Sequence, residues 1–457
     1  MTTLSQVATA MQRVLGPVAA AAARATCFVK RQREVTGANF VQTLVFSWLH
    51  TPQPPLGTIC QVGSSVGLEI TQQGLDKRFT PEAAACLEQV LAETVQTVIA
   101  AQPVAIPLLQ RFGGGVWVQD STTISLPEEL ASVWPGCGGS GGPSAALKLQ
   151  VRHDLLHGTL DGPLLQPGRA QDRTSPHQQQ ALPVGALRLT DLGFFKLADL
   201  RERAERGEYW LTRLQAGTAI FTADGRRWDL PALLAAQPTA GVDLPVEVGV
   251  SERVPCRLLA VRVPQEVADQ RRRRLYEAAR KKGQAVSRER LALCAWTVLI
   301  TNVPSAVLTL REALVLARAR WQIELLFKLW KSHNQIAEWR TANPWRILCE
   351  VYAKLIAVVI QHWLLLVGGW HYPDHSLPKA AQVVRAFALA LALALGSRRR
   401  LVAALAVLVR ALRRGSRVSK RRQHPALYQL LLALEELEAA AAAPVPPPAP
   451  QTPRLAA

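Results

Sequence analysis

The spacing of apolar positions changes along this chain and divides it before any single residue is considered. Up to about residue 105, apolar residues recur at helical spacing, best in Phe40 to Leu49 and Pro81 to Ala100, which predicts a helical N-terminal domain. The period then shortens to two. Val116 and Val118 alternate with Trp117 and Gln119 as far as Asp120, predicting a strand that ends in an acid. A glycine-rich break, Gly136 to Gly142, precedes two more candidate strands, Ala146 to His153 and Leu155 to Leu160. The helix-compatible stretch Asp172 to Ala181 follows, and a fourth strand, Ala186 to Thr190, delivers Asp191. This succession predicts a mixed α/β core. Further candidate strands are Tyr209 to Leu214, a pair around the Asp224-Gly225 turn, Val246 to Val250, Arg257 to Val263, and Cys294 to Asn302 with Trp296. Helical spacing returns across Ala317 to His333, in the apolar run Val351 to Leu366, and in leucine- and alanine-rich segments beyond residue 376. Ala439 to Ala457 alternate alanine with proline and predict a disordered tail.

Composition narrows the partners. The chain has 457 residues, 49% of them hydrophobic, and a net charge of +19, so it folds over most of its length and calls for a polyanion, either nucleic acid or an anionic membrane surface. The most lipid-like stretch, Leu355 to Trp370, is interrupted by Gln361 and His362, and Phe387 to Gly396 is too short to span a bilayer. Val14 to Ala23 lacks the flanks of a signal peptide. The reading is therefore a DNA partner, no membrane, and a cytoplasmic location. Seven cysteines, scattered and never in a Cys-x-x-Cys pair, indicate neither a disulfide framework nor a zinc site.

The densest chemistry lies in Arg320-Trp321-Gln322-Ile323-Glu324 and on to Lys331. On a continuous helix at about 100° per residue, Arg320, Glu324 and Lys331 fall within roughly 40° of one another, so a carboxylate is flanked by two cations. That suits an acid that binds a metal beside DNA phosphates; it also suits a plain i,i+4 salt bridge on an amphipathic helix. Likewise Asp120 and Asp191, at or near strand ends, either point into a shared crevice or merely cap turns.

The run Arg-Trp-Gln-Ile-Glu-Leu-Leu-Phe-Lys, closed by Trp330-Lys331-Ser332, resembles the Arg-x3-Glu-x6-Lys part of the YREK motif of bacterial insertion-sequence transposases with an Asp-Asp-Glu triad. Gln119-Asp120-Ser121-Thr122 is similar to the stretch around that family's first aspartate, and Thr190-Asp191-Leu192-Gly193-Phe194-Phe195 to that around its second. Where the family carries a tyrosine three residues before the arginine, this chain has Ala317.

The resemblance implies a ribonuclease-H-like catalytic core with a β-rich insertion, flanked by helical N- and C-terminal domains. The expected divisions are 1–105 (helical, DNA-binding), 106–214 and 296–375 (the two parts of the core), 215–295 (insertion), 376–438 (basic helical region) and 439–457 (tail). It implies catalytic, metal-binding roles for Asp120, Asp191 and Glu324, phosphate contacts by Arg320 and Lys331, and stacking of a flipped base on Trp296, for which a core tryptophan is the competing explanation. Three clustered carboxylates without zinc-type ligands suit two Mg²⁺ or Mn²⁺ ions. Water would attack at the element's boundary, and the released 3′-hydroxyl would attack the opposite strand, giving a hairpin, or target DNA. A homodimer synapsing two ends is implied as well. Ala317 lacks the hydroxyl a tyrosine would offer a phosphate, which bears on hairpin formation and leaves the triad intact. Basic clusters at Lys30 to Arg33, Arg271 to Arg274, Arg280 to Lys282, Arg398 to Arg400 and Lys420 to Arg422 are either phosphate contacts or solvated charge. Two other classes fit the composition: a DNA-binding regulator or decayed transposase indifferent to loss of the three acids, and a ribonuclease-H-like nuclease that cuts without joining.

Overall fold

The computed structural model describes residues 4–31, 34–138, 142–281, 283–418 and 425–442. Ten strands form one mixed sheet in the order β3-β2-β1-β4-β5-β10-β9-β8-β6-β7. They are β1 Val116–Leu126, β2 Ala145–Asp154, β3 Leu160–Pro167, β4 Leu187–Thr190, β5 Tyr209–Arg213, β6 Ile220–Thr222, β7 Arg227–Trp228, β8 Gly241–Val248, β9 Val254–Arg262 and β10 Trp296–Thr301. Strands β1, β4 and β5 are mutually parallel, and β2 and β10 run antiparallel on either side of them. Segment 215–295 does not build a sheet of its own: β9 pairs with β10, so its strands extend the central sheet. A separate apolar cluster around Trp210, Ile220, Leu234, Val248, Leu258 and Ile300 packs that end.

Several local expectations are corrected. β1 does not stop at Asp120. It runs to Leu126, because the following Ser, Thr and Ile residues are good strand formers and stay paired with β2 from Asp120↔Val151 to Leu126↔Ala145. Leu155 to Leu160 is a turn, with the next strand beginning at Leu160. Leu155 and Leu156 are buried, hence their strand-like appearance, but Asp154 reverses the chain there by accepting from the backbone N–H groups of Val116, Leu156 and His157. Asp172 to Ala181 gives only two single turns, Asp172–Thr174 and Pro176–Gln179. The tail prediction fails for 439–442, which continue the helix Leu427–Ala442; residues 443–457 lie outside the described residues. Lys282, Arg33 and Lys420 to Arg422 of the basic clusters also lie outside them, whereas Arg271 to Lys281 belong to the helix Gln265–Lys281.

The N-terminal helices Gly37–His50 and Pro81–Gln96 pack on the C-terminal helices Pro344–Gly369 and Leu377–Ala394 in one core, shared with a face of the sheet. Pro344–Gly369 and Leu377–Ala394 are long and apolar enough to cross a membrane by length and composition alone, the second being longer than its sequence suggested. In Pro344–Gly369, 94% of the most apolar window is buried inside the fold, against 39% for Leu377–Ala394. The first is thus a core helix of this protein. None of the seven cysteines is in a disulfide.

Where Pro344–Gly369 meets the β2–β3 turn, His153, His362 and His375 are packed with Trp370. Burial pushes His153 down to about 3 and His362 down to about 4, and lowers His375 as well. All three are held neutral in the fold, while the unfolded chain protonates them near pH 6.5. Their contribution is complete above that pH and is lost as pH falls toward the folded values. In His362→Gln, whose amide still reaches the Gly158 carbonyl that His362 Nε2 meets at 2.6 Å, the loss of stability between pH 7 and pH 5 is expected to be about 2 kcal/mol smaller than in the wild type. Urea unfolding at the two pH values measures it; an identical loss in both proteins refutes the assignment.

Candidate active site

The register between β1 and β4 pairs Val118 with Leu189. Continuing that register by two residues puts Asp120 level with Asp191, which lies just past the end of β4. β4 ends at Thr190, so the Ser121 N–H on this edge has no ladder partner, and Asp120 Oδ1 accepts it at 2.8 Å. Asp191 caps the turn Leu192–Phe194 by accepting from Gly193 N at 2.9 Å.

Glu324 arrives from the other side. A capping box between Thr309 and Glu312 starts the helix Leu310–Ala319. After the junction at Arg320, the helix Trp321–Lys328 packs on β1. Arg320 Nη1 lies 3.2 Å from Asp120 Oδ2, and Nη2 pairs with Glu324 Oε1. One guanidinium thus bridges two of the three acids. Asp120 is mostly buried, and its pKa is raised to about 6, chiefly by burial; the Ser121 N–H and Arg320 hold it down, while Asp191 and Glu324 push it up by repulsion. All three carboxylates act on one small region.

The remaining candidates sit around it. The single continuous helix expected through Lys331 gives way at Leu329 to a π-helical turn, Leu329–His333. Lys331 lies in that turn, and its Nζ donates to the Thr123 carbonyl at 2.8 Å, three residues along β1 from Asp120, so it faces the same strand that Arg320 reaches. Burial lowers its pKa. Trp296 opens β10, half-buried on the second core. Arg262 lies over its ring at 5.8 Å, and its carbonyl accepts from Arg271 at 2.8 Å. Because β10 is antiparallel to β5, Trp296 stands at the same end of the sheet as Asp191, two strands across, rather than among the carboxylates. Ala317 is half-buried against the core one helical turn before Arg320.

Sequence reasoning missed Asp172 and Lys148. Asp172 Oδ1 accepts from Ser121 Oγ at 2.7 Å and from Lys148 Nζ at 3.2 Å. Neither residue carries a motif, and 51 residues separate Ser121 from Asp172, so only the folded sheet reveals the contact.

Residues 112–360, more than half of the chain, match the family described as the transposase DDE domain. The chain belongs to the DDE transposase family. It is similar to the transposase for insertion sequence element IS231C of Bacillus thuringiensis subsp. berliner, with 28% identity over 357 residues that cover 73% of this chain and 74% of that relative. For the transposase for insertion sequence element IS1151 of Clostridium perfringens, identity is 23% over 361 residues, covering 75% and 76%. The putative transposase InsL for insertion sequence element IS186A of Escherichia coli (strain K12) is 27% identical over 250 residues, covering 53% and 63%. As a DDE transposase the protein is an enzyme that acts on DNA, and its mixed α/β sheet is consistent with a ribonuclease-H-like domain.

DDE transposase domains generally use divalent metal ions. Among the described residues, no three carboxylate, imidazole or thiolate side chains stand ready as a metal cluster; between Asp120 and Glu324 sits the Arg320 guanidinium. The donor set nevertheless fits a hard cation: the candidate ligands are all carboxylates, and Asp191 and Glu324 add their repulsion to the burial that chiefly raises the Asp120 pKa.

Proposed function

We propose that Asp120, Asp191 and Glu324 are the catalytic carboxylates of a transposase that cuts DNA at the ends of its element and joins those ends to target DNA. The reading is supported above all by the bridge from Arg320 to Asp120 and Glu324, which ties strand β1 to the late helix with Asp191 close enough to raise the Asp120 pKa. The three acids would hold Mg²⁺ or Mn²⁺, two ions in the full reading, which when bound lowers the pKa of water and stabilises charge on the phosphate oxygens.

The chain's own residues supply position. Arg320 presents a planar fork to a phosphate in place of its present carboxylate partners. Lys331, on the rim beside Thr123, offers a point charge further along the DNA backbone. Trp296 gives a π-face at the same end of the sheet for a base turned out of the duplex. In the first step, water attacks phosphorus at the element's boundary and a 3′-hydroxyl leaves. In the second, that hydroxyl attacks the opposite strand to give a hairpin, or target DNA directly. The partner is double-stranded DNA, engaged by a homodimer that brings two ends together, in the cytoplasm.

A nuclease sharing this core would stop after the first step. Incubating a pre-cut element end, bearing its 3′-hydroxyl, with supercoiled plasmid and Mg²⁺ separates the two. End–plasmid joints expose the second step; release of nicked DNA without joints contradicts it.

A further inference from the structure

We propose that Asp172 is a positioning residue for the cleavage reaction, a strut that sets the distance between Asp120 and Asp191. The inference rests on the catalytic reading of those two acids and adds a residue that neither the motifs nor the family match assigns.

The two aspartates sit where regular pairing has ended. Past Thr190 no strand lies beside β1 at Ser121, so the β-ladder does not fix the separation of Asp120 from Asp191. Each acid instead accepts a local backbone N–H, that of Ser121 for Asp120, whose other oxygen meets Arg320, and that of Gly193 for Asp191. Asp172 bonds the side chain of Ser121 and lies beside the turn that carries Gly193. Its Oδ1 takes the Ser121 hydroxyl at 2.7 Å. Its Oδ2 faces the other loop: a Cβ placed on Gly193 would lie 3.5 Å from Asp172 Oδ2 and 3.1 Å from Asp191 Oδ1. The turn Asp172–Thr174 packs directly on the turn Leu192–Phe194.

The carboxylate is itself held. Lys148 Nζ stands 3.2 Å from Oδ1 and also reaches the Ala170 carbonyl, while Gln150 Nε2 approaches the same oxygen at 3.4 Å. Lys148 and Gln150 come from β2, whose register against β1 pairs Gln150 with Ser121 and Lys148 with Thr123. A rigid antiparallel pair therefore anchors Asp172, and Asp172 braces the loop that carries Asp191. The Lys148 ammonium also offsets the negative charge of Asp172, so the strut adds little repulsion to the three acids beside it. Reacting groups misplaced by about 1 Å cost on the order of 10²-fold in rate, which is the scale on which such a strut acts.

The test compares Asp172→Ala, Asp172→Asn and Ser121→Ala in the full chain, measuring element-end affinity, single-turnover cleavage of the bound end, melting temperature and Mn²⁺ affinity by electron paramagnetic resonance. Asparagine keeps an oxygen for Ser121 and Lys148; alanine does not. The expected result is unchanged end affinity in all three, cleavage slowed roughly 10- to 100-fold in Asp172→Ala, weaker Mn²⁺ binding in the same variant, and recovery to within about threefold of wild type in Asp172→Asn. Ser121→Ala is expected to slow cleavage as well and to add little to Asp172→Ala in the double variant, because both remove one contact.

Wild-type cleavage in Asp172→Ala overturns the proposal. So does an Asp172→Asn variant as slow as Asp172→Ala, which makes the carboxylate charge itself the requirement. A melting temperature lowered equally in the alanine and asparagine variants, with cleavage falling in step, makes the residue merely structural and also overturns it. Failure of the catalytic reading itself is distinguished by Asp120→Asn, which would then cut normally whatever Asp172 does.

Discussion

Asp120→Asn is expected to reduce cleavage of element-end DNA by on the order of 10³-fold or more, equivalent to about 4 kcal/mol of transition-state stabilisation, while leaving the protein folded and able to bind the end. The fold does not need this charge. Burial and two neighbouring carboxylates raise the Asp120 pKa from 3.8 to about 6, so at pH 7 the ionised form is a cost to the folded state, relieved as pH falls through 6. Asparagine removes that cost and still offers an oxygen to the Ser121 N–H and to Arg320. The melting temperature should accordingly hold or rise as activity disappears. A group retained at the expense of stability is the usual mark of a functional site. Retained cleavage in a folded Asp120→Asn protein contradicts the role; so does a drop in stability large enough to explain the loss.

The second large effect concerns Arg320. Its guanidinium neutralises Asp120 and Glu324, so in the free enzyme it competes with any cation for both acids. A DNA phosphate that draws the guanidinium away releases them, which couples DNA binding to metal binding, and by linkage the coupling is reciprocal. Arg320→Gln should therefore move the two affinities in opposite directions. Mn²⁺ binding without DNA is expected to tighten by about tenfold or more, while affinity for the element end weakens by a similar factor, each corresponding to about 1.4 kcal/mol. Titration with Mn²⁺ followed by electron paramagnetic resonance, beside a gel-shift titration with end DNA, measures both. If metal affinity is unchanged or weaker without DNA, Arg320 does not compete for the carboxylates.

Much of this architecture was legible because local signals and tertiary needs agree. The alternating run at Val116, the short strand before Asp191 and the apolar helix Pro344–Gly369 all became elements close to where the pattern put them. The misreadings share a cause, which is that a local pattern was completed by partners distant in sequence. Leu155 and Leu156 resemble strand residues because they are buried, yet Asp154 turns the chain beneath them. β1 passes Asp120 because β2 pairs with it for ten residues, from Trp117 to Leu126. The single helix expected through Lys331 is interrupted by the π turn at Leu329–His333, which no local pattern announces, with Lys331 still meeting β1 at Thr123.

The candidate site was legible only through motif similarity. Spacing alone left Asp120, Asp191 and Glu324 no better than turn caps and a helical salt bridge, and 204 residues separate the first from the last. Asp172 was not legible at all: its role depends on where β4 stops and on which residues of β2 then face the gap.

The most direct test is cleavage of a duplex carrying the element's own end, with Mg²⁺, by the wild type and by Glu324→Gln. Metal-dependent cutting at the boundary is expected of the wild type and no cutting of the variant, with end binding preserved in both. Equal cutting by the two proteins, or a wild type that binds the end and never cuts it, would contradict the assignment of Asp120, Asp191 and Glu324 as the catalytic carboxylates.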